Sequence, residues 1–577
     1  MSLIKKIAYI FDRNTKLQML GLMIMTVIGA VLELVGVSIL LPIIDLAVSP
    51  DRLMDNLYCR IISQIFHVTE YRDILLILIG VMLAVYICKN AFLAFMYNLI
   101  YHFSGQIHSK IAGRLINTYL VQPYAFFLRK NTSELIRSVK TDTIGFYQAL
   151  YNFMMIISSG LISLCLIGYL AATNLIITLV VVVVVAVCAL TLLRSFQKKS
   201  KDLGKETQNA DARIIQSLQQ AFDGIKEIKI YHKEDYFLED FRYIYHYSVE
   251  VARKANLLSG LPKYLLETLA VGAILAVLAV SVISGGDLGK LVAQLAVFAA
   301  AFFKLLPNVN AIYAYSNTMM YNKASVDLVY HDLKEAEELL GRVTVEQENQ
   351  KTIHFCDRIE MRGITFRYEN TDTDVIRDGS VNIRKGESTA FIGQSGGGKT
   401  TTVDVMLGLL KPQQGEILVD GSPISDNYFG WLGLFGYIPQ FIYLYDDSIR
   451  KNVAFGIPEQ EIDDAKVWEA LTKAQMREFV ESLPEGLDTE VGERGARLSG
   501  GQRQRIGIAR ALYNDPEILV FDEATSALDT ETEKEVMSAI DSLHGSKTMI
   551  MIAHRLTTIE NCDHVYRVEN QRIEQVR

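Results

Sequence analysis

The chain has 577 residues, half of them hydrophobic and only 21% charged, with a formal net charge of −8. That length calls for more than one domain, and the acidic balance gives no case for nucleic acid as a partner. The six cysteines (Cys59, Cys88, Cys165, Cys188, Cys356 and Cys562) are scattered without metal-ligand spacing, so they read as small buried hydrophobes rather than as a disulfide framework.

The N-terminal apolar run from Leu17 to Val48 is too long for a cleavable signal and reads as a retained membrane anchor. Six runs reach the roughly 20 residues a helix needs to cross the hydrocarbon core. They lie near 17–46, 74–100, 143–170, 174–195, 257–284 and 288–318, the third and sixth interrupted by polar residues such as Asn152 and Asn308. Lys and Arg cluster before the first run, between the second and third, and after the fourth. The positive-inside rule then puts both termini in the cytoplasm, as expected of a multi-pass protein of the cytoplasmic (inner) membrane. The long connections on that side keep apolar residues at helical spacing, so the membrane helices are expected to continue into the cytoplasm. Outside the membrane, Leu53, Leu57, Ile61 and Ile65 recur four residues apart. They suggest a short amphipathic helix, either lying on lipid or packing on neighbouring spans.

The expected organisation is a membrane domain over 1–325, a linker over 326–355 and a second domain over 356–577. Within the linker, "VDLVYHDLKEAEELL" reads as a charged helix and "GRVTVEQENQ" as the connection proper. From Ile359 short strands alternate with helices, the pattern of an α/β domain.

Nucleotide chemistry enters at "TAFIGQSGGGKTT", an apolar strand, a glycine loop and a helix start. Gly393, Gly398, Lys399 and Thr400 match the phosphate-binding loop G-x-x-x-x-G-K-[ST], with Gln394, Ser395, Gly396, Gly397 and Thr401 completing the cradle. Glycines let backbone N–H groups approach phosphate, and the helix N-terminus adds positive potential. Lys399 is suited to neutralise the outer phosphates of ATP and Thr400 to ligate Mg²⁺. In "EILVFDEATSALD", an apolar strand delivers Asp522 as a second metal ligand, and Glu523 follows as a candidate general base for the attacking water.

About 20 residues before Asp522 stands "RLSGGQRQR". Its Leu498, Ser499, Gly500, Gly501 and Gln502 resemble the signature of the ABC-transporter ATPases. The resemblance implies further roles, in order along the chain. Tyr368 in "ITFRYEN" matches the aromatic residue that stacks on adenine, and Gln440 in "YIPQ" the glutamine linking the magnesium site to the membrane domain. "TEVGERG", with Glu493, resembles the exporter-type segment before the signature. Asp529 matches the aspartate that communicates between subunits, and His554 in "IAHRL" the histidine that contacts the γ-phosphate. The glycine loop departs from the commoner serines at Gly397 and Thr400, where backbone approach and hydroxyl are both kept. The implied fold is an exporter-type helical bundle of six spans followed by an α/β P-loop ABC ATPase domain. The implied cofactors are ATP and Mg²⁺. In this family each ATP lies between one glycine loop and the opposite subunit's signature. A single ATPase domain therefore implies a second chain, and with the site residues intact that chain is expected to be a copy of itself.

The membrane half is similar to the lipid-linked-oligosaccharide flippases in "LELVGVSILLPIIDLA", "YICKNAFL", "YLVQPYAFFLRKNTSELIRSV" and "AFFKLLPNVNAIY". That likeness implies flipping of an amphipathic, anionic lipid by alternating access. A multidrug or general lipid exporter is the nearest alternative, and a nucleotide-gated channel or regulator a further one. Counting 1.5 Å per helical residue puts Lys89 about 24 Å below Asp73, Lys304 about 26 Å below Asp287 and Lys263 about 32 Å below Ser284. Three ammonium groups at similar depth would suit a phosphate or pyrophosphate headgroup. Pairing with Glu267, counted to about 26 Å, or snorkelling to the interface are the structural readings of the same residues. Glu33, placed nearer the outer half, reads as a buried carboxylate that pairs or stays protonated.

Overall fold

The computed structural model describes residues 3–38, 64, 67, 70–173, 175–283, 288–348, 353–369, 371–523, 530–553 and 559–577. The external 50–66 segment, apart from residue 64, thus lies outside the described residues, as do Asp529 and His554. The chain divides into two compact units, one formed by Met1–Gln122 and Arg129–Leu340, the other by Gly341–Arg577 with the short segment Pro123–Leu128.

The first unit is all helix. Leu3–Ile10 (α1), Arg13–Ser38 (α2) and Tyr71–Leu120 (α3) are followed, after the short helix Tyr124–Arg129 (α4) that falls mostly in the second unit, by Thr132–Arg137 (α5), Thr143–Thr173 (α6), Leu175–Asp223 (α7), Glu234–Ile283 (α8), Leu288–Tyr321 (α9) and Lys323–Glu348 (α10). Among the described residues, three helical stretches are long and apolar enough to cross a membrane: Arg13–Gly36, Arg72–Leu120 and Thr132–Ala172. The helices α3, α7 and α8, of 50, 49 and 50 residues, run far beyond the roughly 20 needed for a crossing, with polar sequence in their extensions. Asn152 does not interrupt α6; it is buried in an unbroken helix. The last helix also takes in Gly341–Glu348 of the stretch read as a connection, because its run of Glu and Val supports helix as readily as coil.

Helix α6 sits at the centre, packed on α2, α3, α7 and α9, while α7 lies along α8. Ala30 of α2, Ile162, Leu166 and Leu170 of α6, and Leu305 of α9 form one buried cluster. Between α5 and α6 the backbone makes a π-helical turn over Ser138–Asp142, a geometry that usually has a local cause. Here the cause is a buried polar knot. Asp142 accepts from Arg137 Nε at 3.0 Å, Gln208 Nε2 at 2.9 Å and Ser325 Oγ at 2.7 Å, and Arg137 Nη1 donates to the Gln208 carbonyl at 3.1 Å. Both oxygens of the buried carboxylate accept hydrogen bonds, one of them from Arg137, and such pairing lets a buried charge be tolerated. This knot ties α5, α7 and α10 together.

The second unit carries two sheets. Arg358–Phe366 (β1), Ile376–Arg384 (β2), Gln414–Val419 (β4) and Ser422–Pro423 (β5) form an antiparallel sheet in the order β2-β1-β4-β5. Ser388–Ile392 (β3), Phe435–Ile438 (β6), Ile518–Asp522 (β7), Thr548–Ile552 (β8), His564–Glu569 (β9) and Arg572–Gln575 (β10) form the other, in the order β10-β9-β3-β8-β7-β6. Within it only the β9–β10 pair is antiparallel. Strands β7 and β8 are buried along their whole length, as continuous apolar runs in a parallel sheet require. Two apolar cores flank this sheet, one around Phe391, Trp431 and Val520, the other around Ile438, Leu471 and Ile508. Ala125 of α4 packs against the first. The cysteines do not behave uniformly: Cys562 is buried, but Cys88 and Cys356 are exposed, so packing does not account for those two.

Candidate functional site

The parallel sheet gathers its chemistry at the C-terminal ends of β3, β6 and β7. From β3 the chain turns through Gly393–Gly398 into Lys399–Met406 (α11). Gly393 has φ +147, and a Cβ there would lie 2.2 Å from the Val568 carbonyl oxygen; Gly398 has φ +100 at the helix start. Only glycine supports both the dihedral and the close approach. The Lys399 ammonium is folded into this loop, donating to the carbonyls of Gly393 at 3.0 Å and Gln394 at 3.1 Å. Its residue is 5% exposed. Burial pushes the ammonium below the ordinary lysine range, opposed by the negative charges of Glu523 and Asp522. Two carbonyl dipoles orient the group but leave its net charge in place, which is what a phosphate needs.

Tyr368 lies beside the same helix, its hydroxyl 3.0 Å from Thr401 Oγ1 and its ring edge-on to Phe366. Strand β7 ends in the buried Asp522, followed by Glu523, whose φ of +50 is unusual for a residue with a Cβ. The Glu523 N–H donates to the Ile552 carbonyl at 3.2 Å and so holds that turn. Gln440 Nε2 donates to Glu523 Oε2 at 2.7 Å. Burial raises the Asp522 carboxyl above the usual range, and a hydrogen bond from Tyr437 works against that rise. A further carboxylate, Asp404, stands one turn after Thr400 on α11; burial, with Asp522 nearby, pushes it up to about 6. Thr400, Asp522 and the amide oxygen of Gln440 are hard oxygen donors of the kind Mg²⁺ takes, so the residues fit that ion. Bound with ATP, the ion supplies charge neutralisation at the phosphate oxygens.

The signature segment opens the helix Gly500–Leu512 (α12). Ser499 is its N-cap and forms a reciprocal capping box with Gln502: Gln502 N–H donates to Ser499 Oγ at 3.2 Å and Ser499 N–H to Gln502 Oε1 at 2.9 Å. Ser499 and Gly500 are exposed while Gly501 is buried, so the cap faces outward from a helix anchored in the second core. Glu493 begins a one-turn 3₁₀ segment in which Arg494 takes φ +52.

Sequence reasoning missed Tyr437 and Asp404. Both had a faint signal, Tyr437 on the strand that leads into Gln440, Asp404 at the i+4 position from Thr400 on one helix face.

In the membrane unit Lys89 is engaged within its own chain. Lys89, 1% exposed, is ion-paired to Glu33 of α2, Nζ to Oε2 at 2.8 Å, with the ammonium 4.3 Å from the Tyr86 ring centroid. Gly36, one turn beyond Glu33, leaves the space the lysine stem crosses: a Cβ there would lie 3.3 Å from Lys89 Cδ. The partner is therefore Glu33 rather than Glu267. The depth counts fail for a physical reason. Counted from Asp73, Lys89 falls about 24 Å below the outer edge; counted from Lys16, Glu33 falls about 26 Å above the inner one. In a core about 30 Å thick those positions are far apart, yet the groups touch, so at least one helix end used as an anchor does not lie at the membrane surface. Lys263 and Glu267 are exposed on α8, and Lys304 lies on α9.

Comparison with known proteins agrees with this geometry. Residues 19–306 match the family model described as the ABC transporter transmembrane region, and residues 376–526 the one described as ABC transporter. The ATP-dependent lipid A-core flippase of Bordetella avium is 31% identical over 476 residues, covering 80% of this chain and 78% of its own length. That of Pseudoalteromonas translucida is 31% identical over 479 residues, covering 81% and 79%. Among solved structures, a bacterial Atm1-family ABC exporter with ATP bound superposes with a TM-score of 0.77 at 23% identity, covering 97% of this chain and 95% of its own; that likeness shows the fold.

Proposed function

Because the chain belongs to the ABC transporter family, an ATP-hydrolysing domain joined to a multi-pass inner-membrane transport domain, we propose that it flips an anionic, lipid-linked glycan across the membrane by alternating access. The observation that carries this reading is the similarity, over four-fifths of the chain, to proteins named as lipid A-core flippases, joined to the likeness of the membrane segments to lipid-linked-oligosaccharide flippases. The substrate class common to both is a negatively charged glycolipid.

In the working form, two copies of the chain, each with six spans and cytoplasmic termini, enclose two ATP molecules. Tyr368 stacks on adenine, Lys399 and the Gly393–Thr401 loop hold the phosphates, and Thr400, Gln440 and Asp522 hold Mg²⁺. Glu523 takes the proton of the attacking water, His554 contacts the γ-phosphate, Asp529 communicates between subunits, and Ser499 with Gly500–Gln502 closes the partner's site. Lys263 and Lys304 meet the anionic headgroup. Lys89, neutralised by Glu33, pins α2 to α3 instead.

The test is ATP hydrolysis in liposomes containing a polyprenyl-pyrophosphate glycan, a phosphorylated lipid A-type glycolipid, a zwitterionic phospholipid or amphipathic drugs. Stimulation by one or both anionic glycolipids, with loss of turnover in Glu523→Gln, supports the reading. Stimulation confined to drugs or to the zwitterionic lipid contradicts it.

A further inference from the structure

The acidic residue that ends β7 and the one directly after it are each held by a donor from one short stretch of chain. Tyr437 Oη donates to Asp522 Oδ2 at 3.2 Å, and three residues later Gln440 Nε2 donates to Glu523 Oε2 at 2.7 Å. The register explains the pairing. Strand β6 runs parallel to β7 with Tyr437 opposite Val520 and Ile438 opposite Phe521, so the β6 chain leaves the sheet level with the carboxylates. Strand β6 is also the edge of its sheet, and Tyr437 is 41% exposed. A tyrosine so placed contributes little to the core, yet its hydroxyl reaches a carboxylate that is 8% exposed.

We propose that Tyr437 is a positioning residue for the metal site: its hydroxyl fixes the rotation of the Asp522 carboxylate, so that Tyr437 and Gln440 together make the "YIPQ" stretch a single clamp on the metal aspartate and the adjacent glutamate. A carboxylate held by one directional bond presents its remaining lone pairs along a fixed direction, whereas an unheld one loses that orientation when an ion binds. The consequence is specific. Displacement of the Tyr437–Gln440 stretch disturbs metal affinity and the candidate base together, while nucleotide contacts that do not involve metal are spared.

The experiment measures binding of a fluorescent, non-hydrolysable ATP analogue to the full chain in nanodiscs, titrated with Mg²⁺ and repeated in excess EDTA. Tyr437→Phe removes the hydroxyl and keeps the ring. It should raise the Mg²⁺ concentration for half-maximal binding by about threefold to tenfold, the net worth of one typical intramolecular hydrogen bond. Affinity in EDTA should be unchanged. Mn²⁺ titration followed by electron paramagnetic resonance should show the same shift without reference to turnover. An unchanged Mg²⁺ midpoint overturns the proposal, as does equal weakening with and without metal. If Tyr437→Phe also lowers the melting temperature, Tyr437→His restores a donor and decides the matter: recovery of the midpoint supports the positioning role, and failure to recover it overturns it.

Discussion

Two buried lysines in this chain have been treated in opposite ways. Lys89, inside the helical unit, is 1% exposed and meets a carboxylate of its own chain at 2.8 Å. Lys399, inside the ATPase unit, is 5% exposed and, among the described residues, donates to two backbone carbonyls, with the Glu523 and Asp522 charges nearby. A full negative charge cancels an ammonium and lets it stay in an apolar setting as part of the scaffold. Carbonyl dipoles satisfy its hydrogen bonds but leave the positive charge for a ligand. Burial of a lysine is thus uninformative until its acceptor is known, and the acceptor here separates a structural pin from a phosphate receptor.

The sharpest break in that comparison is at Lys399. Replacing it by Ala should leave the melting temperature close to that of the unmodified protein and reduce ATP hydrolysis by about 100-fold or more, since a preorganised charge at the phosphates is worth that much in turnover. Measured turnover within a few-fold of normal would place the receptor elsewhere. At the other lysine the larger effect should be on stability. Glu33→Gln leaves Lys89 charged and unpaired, and loss of one member of a buried pair costs about 3–5 kcal/mol. Thermal denaturation in detergent would register this as a clear drop, with hydrolysis of ATP at permissive temperature retained.

A smaller loss is expected from crowding the pair rather than breaking it. Gly36→Val inserts atoms where a Cβ already falls 3.4 Å from the Lys89 ammonium, an overpacking cost of about 1–3 kcal/mol. Equal stability of this variant would show that the α2–α3 contact is looser than described. The smallest effect is pH-dependent. The Asp404 carboxyl, pushed up to about 6 from 3.8, keeps its proton in the folded state through a window where the unfolded chain has released it. Stability from this group is therefore present below about pH 4, falls as pH rises to about 6, and stays lower above that. Asp404→Asn should remove the slope and raise stability at pH 8 by about 1 kcal/mol, allowing for partial solvent screening. Denaturant titration of the nucleotide-free protein at pH 5 and pH 8 measures it, and an unchanged slope would remove Asp404 from the account.

The ATPase half was largely legible because its chemistry is local in sequence. Ser388 to Thr401 form a strand, loop and helix start in one stretch, and Asp522 ends a single buried strand with Glu523 directly after it. What was not legible depends on register between distant strands. Tyr437 reaches Asp522 across 85 positions, and no spacing rule reports that β6 and β7 are neighbours. The membrane half is harder for the same reason. Apolar runs locate helices, and the extensions of α3, α7 and α8 follow from their polar but periodic sequence. Rotation and depth come from packing, and a lysine counted from a helix end was placed at a level its partner does not share. Glu33 was visible as a carboxylate in need of a partner; Lys89 was visible as a charge in need of one. Their union required the α2–α3 contact, which Gly36 permits and no one-dimensional pattern announces.

The most direct measurement compares Lys89→Gln with the double variant Lys89→Gln, Glu33→Gln in two assays, thermal stability and flipping of a fluorescent anionic glycolipid in proteoliposomes. With Lys89 as an internal pin, the single change lowers stability by removing the buried ion pair to Glu33, and the double change restores most of the stability and the flipping rate, because coupled residues are non-additive. A double variant as stable as the unmodified protein but unable to flip the lipid would contradict this, and would return Lys89 to the headgroup site.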